Sequence, residues 1–196
     1  MLDVLLTTLM AFTYKQLIMI VIAIIMLYLA IEKGYEPNLL LPMGFGTILV
    51  NIPFSSALTQ GATHGALSLL FDMGIANELF PLLIFIAVGA MCDFTPLLAN
   101  PRIFLFGLTA QAGIFLTMGL ALLLGFTIPE SASIGIIGAA DGPTAIYVSN
   151  RFAPHLLGSI SVAAYTYMAL VPLIQPPVIK MLTTKKERAM TMSYEQ

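Results

Sequence analysis

"SIGIIGAADGPTAIYVSNRF", residues 133–152, sets a single carboxylate, Asp141, into an apolar stretch that is otherwise uncharged from Ser131 to Asn150. A charge at the centre of a transmembrane helix costs about 2.5–3.5 kcal/mol even on the lenient insertion scale, so Asp141 needs compensation from its surroundings. Its neighbours Gly135, Gly138, Ala139, Ala140 and Gly142 are small enough to let another backbone or an ion come close. Pro143 disfavours the right-handed helical conformation at Gly142 and suits the first turn of a new helix. The segment 131–150 is therefore expected as a broken helix, two half-helices meeting near Asp141.

At such a junction the first half-helix ends with unpaired carbonyls and the second begins with unpaired amides. The carbonyls of Gly138 and Ala139, the Thr144 hydroxyl and the Asp141 carboxylate can then hold a cation together. Discontinuous helices of this kind mark the coupling-ion sites of secondary transporters, and sodium, a hard cation, takes oxygen ligands. The alternative is that Asp141 merely caps the helix that starts at Gly142 or Pro143, accepting a bond from the Thr144 amide. Both readings stand on the residues alone; the depth of Asp141 in the bilayer separates them.

The rest of the chain is that of a membrane protein. Of 196 residues 59% are apolar and only 9% charged, where a soluble domain carries roughly 25% charged residues. A net charge of −2 on so few ionisable groups argues against nucleic acid as a partner. Cys92 is the single cysteine, which excludes an intrachain disulfide; within an apolar run it is expected as a buried, inert thiol. His64 and His155 lack ligand-like spacing and are expected at loop or interface positions.

The fold class expected is an all-α polytopic membrane protein, with transmembrane helices plus discontinuous, broken or re-entrant ones. Residues 1–15 suit a short interfacial helix, apolar at Leu5, Leu6, Leu9, Met10 and Phe12. Spans follow over 16–128. Leu17–Ile31 crosses with help from snorkelling Tyr14 and Lys15, and "EKGYEP" after it offers no small-x-small cleavage site. The segment 38–58 is interrupted by Pro42, Gly44, Gly46 and Pro53 and is expected to be broken. "TQGATHGALSLLFDMGIANE" reads as an external loop with room for a short helix, and Leu79–Cys92 with "DFTPLLAN" as a further span. Ile103–Ile128 is an uncharged helix packed through small residues, although its glycines at six-residue intervals do not keep to one face. In the last span, 156–182, Pro172, Pro176 and Pro177 are expected to bend or end the helix. Lys180, Lys185, Lys186 and Arg188 then place 183–196 in the cytoplasm as a connector, by the positive-inside rule.

Three more polar groups fall within apolar runs. Tyr165 and Tyr167 are two residues apart, so at most one can face the Asp141 junction. Tyr167 has Ala163 and Ala164 one turn earlier, which leaves room for a neighbour; the alternative for either tyrosine is an interface anchor or packed ring. Asn51, in "GFGTILVNIP", can offer an amide oxygen to an ion or satisfy backbone near Pro53, the second being favoured. Gln175 can bind an ion or bond across helices.

Taken together, "GFGTILVNIP", "GIIGAADGPTAIYVSNRFAPHLL" and "VAAYTYMALVPLIQPPVIKMLTTKKER" resemble the beta subunit of the sodium-pumping, biotin-dependent decarboxylases, the family of the oxaloacetate, glutaconyl-CoA, methylmalonyl-CoA and malonate enzymes. The resemblance runs from the first span onward. It implies a subunit that decarboxylates carboxybiotin with consumption of a proton and export of sodium ion. It also implies a biotin carrier domain, a carboxyltransferase alpha subunit and small gamma membrane subunits as partners. The setting implied is the inner membrane of a prokaryote, with the chain crossing several times and an oligomeric assembly left open. In the family the aspartate of "DGPT" exchanges sodium for a proton, which corresponds to Asp141. A tyrosine of the "YSYMALVP"-like helix is also functional, and the second tyrosine of "YTYMALVP" is Tyr167. The family has about twice this length, as an inverted repeat whose second half carries an Asn, a Gly, a Ser and an Arg of the site. Those motifs are absent here, so residues 1–196 are expected to be the first half and not to pump alone. A sodium- or proton-coupled secondary transporter without biotin is the competing function. A mere scaffold is disfavoured, since an anchor needs no intramembrane charge.

Overall fold

In hydrocarbon no water is available to pair backbone groups, so an apolar chain with no barrel-forming alternation must satisfy them within helices. The computed structural model describes residues 7–8 and 10–190, and it is helical, with no strand among them. Residues 1–6 and 9 of the interfacial segment expected at 1–15, and residues 191–196 of the expected connector, lie outside the described residues.

Helix α1 (Tyr14–Glu32) starts at Thr13, whose amide donates to Gln16 Oε1 at 2.9 Å while its hydroxyl accepts from the Gln16 amide at 3.3 Å. It returns through a short turn as α2 (Pro37–Asn51). The two pack closely at Gly44, where a Cβ would stand 2.8 Å from Leu27 Cγ and 3.1 Å from the Ala23 carbonyl. Against expectation α2 runs unbroken through Pro42. That proline removes one bond, to the Asn38 carbonyl, which the rest of a helix in apolar surroundings outweighs. The break in 38–58 comes only at Ile52, extended at φ −76, ψ 125 ahead of Pro53.

The stretch expected as an external loop with room for a short helix is a loop over 59–65 and helical from Ala66 to Ile75. Helix α3 (Ala66–Leu70) widens into a π turn over Phe71–Ile75, bends by 66° at Glu78 and continues as α4 (Leu79–Met91). With 13 residues, about 20 Å, α4 does not cross alone. Together the bent pair forms a broken or re-entrant element. Cys92 ends α4 and is exposed rather than buried. Helix α5 (Thr95–Ala99) and a 3₁₀ turn (Pro101–Leu105) lead into α6 (Phe106–Leu123), which stops at Gly125, φ 94. Of its regularly spaced glycines only Gly113 packs against another helix; Gly107 and Gly119 face open space.

Helix α7 (Ile128–Gly135), a 3₁₀ turn (Ile136–Ala139) and α8 (Gly142–Phe152) make up the broken helix. Its two ends meet: Glu130 Oε1 lies 2.9 Å from Nε2 of His155, just beyond α8. A segment that crossed the bilayer would hold these ends roughly 30 Å apart. The broken helix is therefore a re-entrant hairpin with Asp141 at its tip. Glu130 also accepts from the Thr127 hydroxyl (2.6 Å) and amide (2.8 Å), and these bonds, then His155, hold its carboxyl down to about 2.

The last helix, α9 (Leu157–Leu182), continues through Pro172, Pro176 and Pro177, which do not end it. A short α10 (Lys185–Arg188) follows, capped by Thr184. Two small cores result. Met26, Ala30, Leu40 and Ala169 join α1, α2 and α9, and Ala145, Ile160 and Ala164 join the hairpin to α9. By length and composition Tyr14–Glu32, Pro101–Leu123 and Pro154–Leu182 can each cross a membrane, with the bent pair as a fourth candidate.

Candidate functional site at the hairpin tip

The tip forms because the chain cannot continue as a helix past Ala139. Ala140 takes the left-handed conformation (φ 54, ψ 40), its amide closing the 3₁₀ turn on the Ile137 carbonyl at 3.0 Å. For an alanine that conformation costs roughly 1–2 kcal/mol. Asp141 is extended (φ −125, ψ 98) and is the N-cap of α8. Its Oδ1 accepts from the Thr144 amide at 3.4 Å and its Oδ2 from the Thr144 hydroxyl. The capping role considered from sequence is thus present, and so is the broken helix.

Depth can be read along the neighbouring helices. Gly138 abuts α6 at Gly113, and Leu123, the end of α6, is ten residues on, about 15 Å. On the other side Gly142 abuts α9 at Tyr165, eight residues or about 12 Å from Leu157. Both measures set the tip beside the interior of helices long enough to cross about 30 Å of hydrocarbon, away from their ends. Asp141 is half-buried there.

The flanking glycines permit this packing. A Cβ on Gly138 would stand 2.9 Å from the Gly113 carbonyl carbon and oxygen, and one on Gly135 would stand 2.9 Å from Met118 Cβ. The Gly138 carbonyl is turned toward Gly113 in α6, 3.4 Å from where a Cβ would be. Ala139, like Gly138, lies beyond the last 3₁₀ bond and is half-buried. Asp141, Thr144, Gly138 and Ala139 are therefore all brought to the tip. The side chains of Asp141 and Thr144 present only oxygens, the kind of ligand a hard cation takes.

Other expected site residues lie elsewhere. Tyr165, rather than Tyr167, is the tyrosine set against the tip: a Cβ on Gly142 would meet its ring at 2.5 Å. Tyr167 is 37% exposed on another face of α9. Asn51 donates to the Thr47 carbonyl at 2.8 Å, satisfying its own helix. It lies about 12 Å along α2 from Met43, which lines a crevice of about 350 Å³ with Asn38, Pro42, Ile146 and Tyr165. Gln175 is exposed. A larger cleft, about 520 Å³ beside His64 and Asp72, shares no residue with the tip. Sequence reasoning missed Met168, whose Sδ accepts from the Gly142 amide at 3.0 Å. The usable signal was the spacing of Tyr165 and Met168, one turn apart on one helix face.

The described residues hold no cluster of three His, Cys, Asp or Glu side chains. The site's chemistry is that of one carboxylate with hydroxyl and carbonyl oxygens.

Comparison with known proteins identifies this arrangement's relatives. The family model described as Na+-transporting oxaloacetate decarboxylase beta subunit matches residues 15–196. The methylmalonyl-CoA decarboxylase subunit beta of Veillonella parvula is 54% identical over 183 residues, 93% of this chain and 48% of that protein. For the glutaconyl-CoA decarboxylase subunit beta of Acidaminococcus fermentans the identity is 53%, with the same coverage. The oxaloacetate decarboxylase beta chain of Klebsiella pneumoniae is 43% identical over 90% of this chain and 54% of its own length. The chain thus spans about half the length of the curated relatives it matches. With an apolar helical fold, a re-entrant hairpin and a match over nearly all its residues, the chain belongs to the family of Na+-transporting oxaloacetate decarboxylase beta subunits.

Proposed function

We propose that this chain forms one half of a membrane subunit that decarboxylates carboxybiotin and couples the reaction to sodium export. In this reading it works in the inner membrane of a prokaryote, beside a carboxyltransferase, a biotin carrier domain and small membrane subunits. The observation that carries the reading is the single carboxylate at the tip of a re-entrant hairpin, packed against the interior of two helices long enough to span, in a chain of this family. Biotin on the partner's carrier supplies the carboxyl group, which leaves as carbon dioxide while the biotin nitrogen takes up a proton.

This chain's part is to hold and exchange the ions. Asp141, ionised, binds sodium together with the Thr144 hydroxyl and the backbone oxygens near Ala139. In this reading a proton takes the place of the sodium ion on Asp141 when the ion leaves. Sodium and a proton thus compete for one group, and that competition is the coupling. Tyr167, 37% exposed on α9, is the residue of this half proposed to contribute to a catalytic site completed by the remainder of the subunit.

The test uses the full-length subunit with its partners, reconstituted in proteoliposomes. Asp141→Asn keeps a good N-cap and nearly the same shape. It is expected to insert and assemble normally yet lose sodium-dependent decarboxylation and sodium uptake, and Tyr167→Phe to slow both. Wild-type coupled activity in Asp141→Asn removes the assignment.

A further inference from the structure

A cation held at the start of a helix meets an electrostatic difficulty. The positive end of the helix macrodipole lies on its first amides and favours anions. At the tip of the hairpin each of those amides is accounted for. The Thr144 amide donates to the Asp141 carboxylate and the Ala145 amide to the Asp141 carbonyl at 3.0 Å. Pro143 has no amide hydrogen. That leaves the Gly142 amide, which is buried and has no acceptor within the hairpin; it donates to Met168 Sδ at 3.0 Å. Tyr165, one turn earlier on α9, seals the same glycine with its ring.

We propose that Met168 is a positioning residue of the cation site: its thioether masks the last free amide of α8, so that a cation can bind beside Asp141. This rests on the reading of Asp141 given above. A thioether is a weak, polarizable acceptor that carries no charge. It neutralises the amide without competing with the carboxylate for the ion. Without it, an unpartnered N–H faces the site from the residue next to Asp141, and its positive end opposes the ion.

The test is the sodium dependence of decarboxylation by the full-length complex. Met168→Leu retains volume and apolarity but has no acceptor. It is expected to raise the half-saturating sodium concentration by about tenfold, with a much smaller change in the rate at saturating sodium. Met168→Gln restores an acceptor and is expected to bring half-saturation back toward wild type. A Met168→Leu enzyme with unchanged sodium dependence overturns the proposal. So does a fall in maximal rate alone, which marks a packing role, or a Met168→Gln enzyme no better than Met168→Leu. Asp141→Asn, measured alongside, separates the two claims. If it is inactive while Met168→Leu is normal, only the role of Met168 fails; if it keeps sodium dependence, the Asp141 reading fails and takes this one with it.

Discussion

Replacing Gly142 by alanine tests the contact that joins the hairpin tip to the last span. The new Cβ would stand 2.5 Å from Tyr165 Cζ, 2.6 Å from Cε1 and 2.8 Å from Cε2, where carbon atoms settle at about 3.5–4.0 Å. The ring must therefore retreat by about 1 Å, or α8 must shift. Overpacking of this kind costs about 1–3 kcal/mol. Gly142 does not have positive φ, so alanine also restricts the unfolded chain and returns about 0.4–1 kcal/mol. The net loss is about 1 kcal/mol. The double variant Gly142→Ala/Tyr165→Ala has no ring to strike, and in that background Gly142→Ala is expected to be neutral or mildly stabilising. The cycle's coupling energy, about 2 kcal/mol, then equals the overpacking term alone. Denaturation of the full-length subunit in detergent, followed by circular dichroism, measures all four proteins. Free energies that simply add would refute the packing described between Gly142 and Tyr165.

The same measurement applies to the other side of the hairpin. Gly138→Ala drives a Cβ into the Gly113 backbone at 2.9 Å, which cannot rotate aside, and is expected to cost about 1–3 kcal/mol. Gly113→Ala meets only the Gly138 carbonyl, at 3.4 Å, and is expected to be far milder; equal losses would contradict this docking. At the hairpin's open end the Glu130 carboxyl is lowered from 4.5 to about 2 in the folded protein. A depressed carboxyl contributes stability that is fully present above about 4.5 and is lost as pH falls toward about 2. Melting temperature against pH should show that acid limb in the wild type and a flatter one in Glu130→Gln.

Local chemistry made the break at Asp141 legible. The run of small residues before it and Pro143 after it leave little choice, and the structure has both the turn and the new helix where those residues require them. What the sequence did not reveal was that the broken helix turns back. That follows from Glu130 meeting His155, 25 residues on, a contact that no local pattern encodes. Proline misled in the opposite sense. Pro42 and the prolines of α9 read as breakers, but an apolar environment favours keeping the remaining helical bonds over exposing backbone. The two-residue spacing of Tyr165 and Tyr167 showed that only one could face the tip, yet rotation of α9 about its axis is set by small residues, Ala164 and Ala169, buried on opposite partners. Asn51 was ambiguous because its amide can serve an ion or its own helix; the Thr47 carbonyl, one turn back, was near enough to decide it.

The prolines retained inside α9 carry a mechanical consequence. Each lacks the hydrogen that would bind the carbonyl four residues back, so the oxygens of Met168, Pro172 and Leu173 have no partner from the helix ladder. Three missing rungs fall within ten residues, beginning at the residue whose sulfur grips the hairpin and ending just before Lys180. Before that stretch α9 contains no proline and packs against the hairpin through Ile160 and Ala164; after it runs the cationic end of the chain. The helix is thus poorer in its own hydrogen bonds toward Lys180 than where it packs against the hairpin, and bending there would break fewer of them.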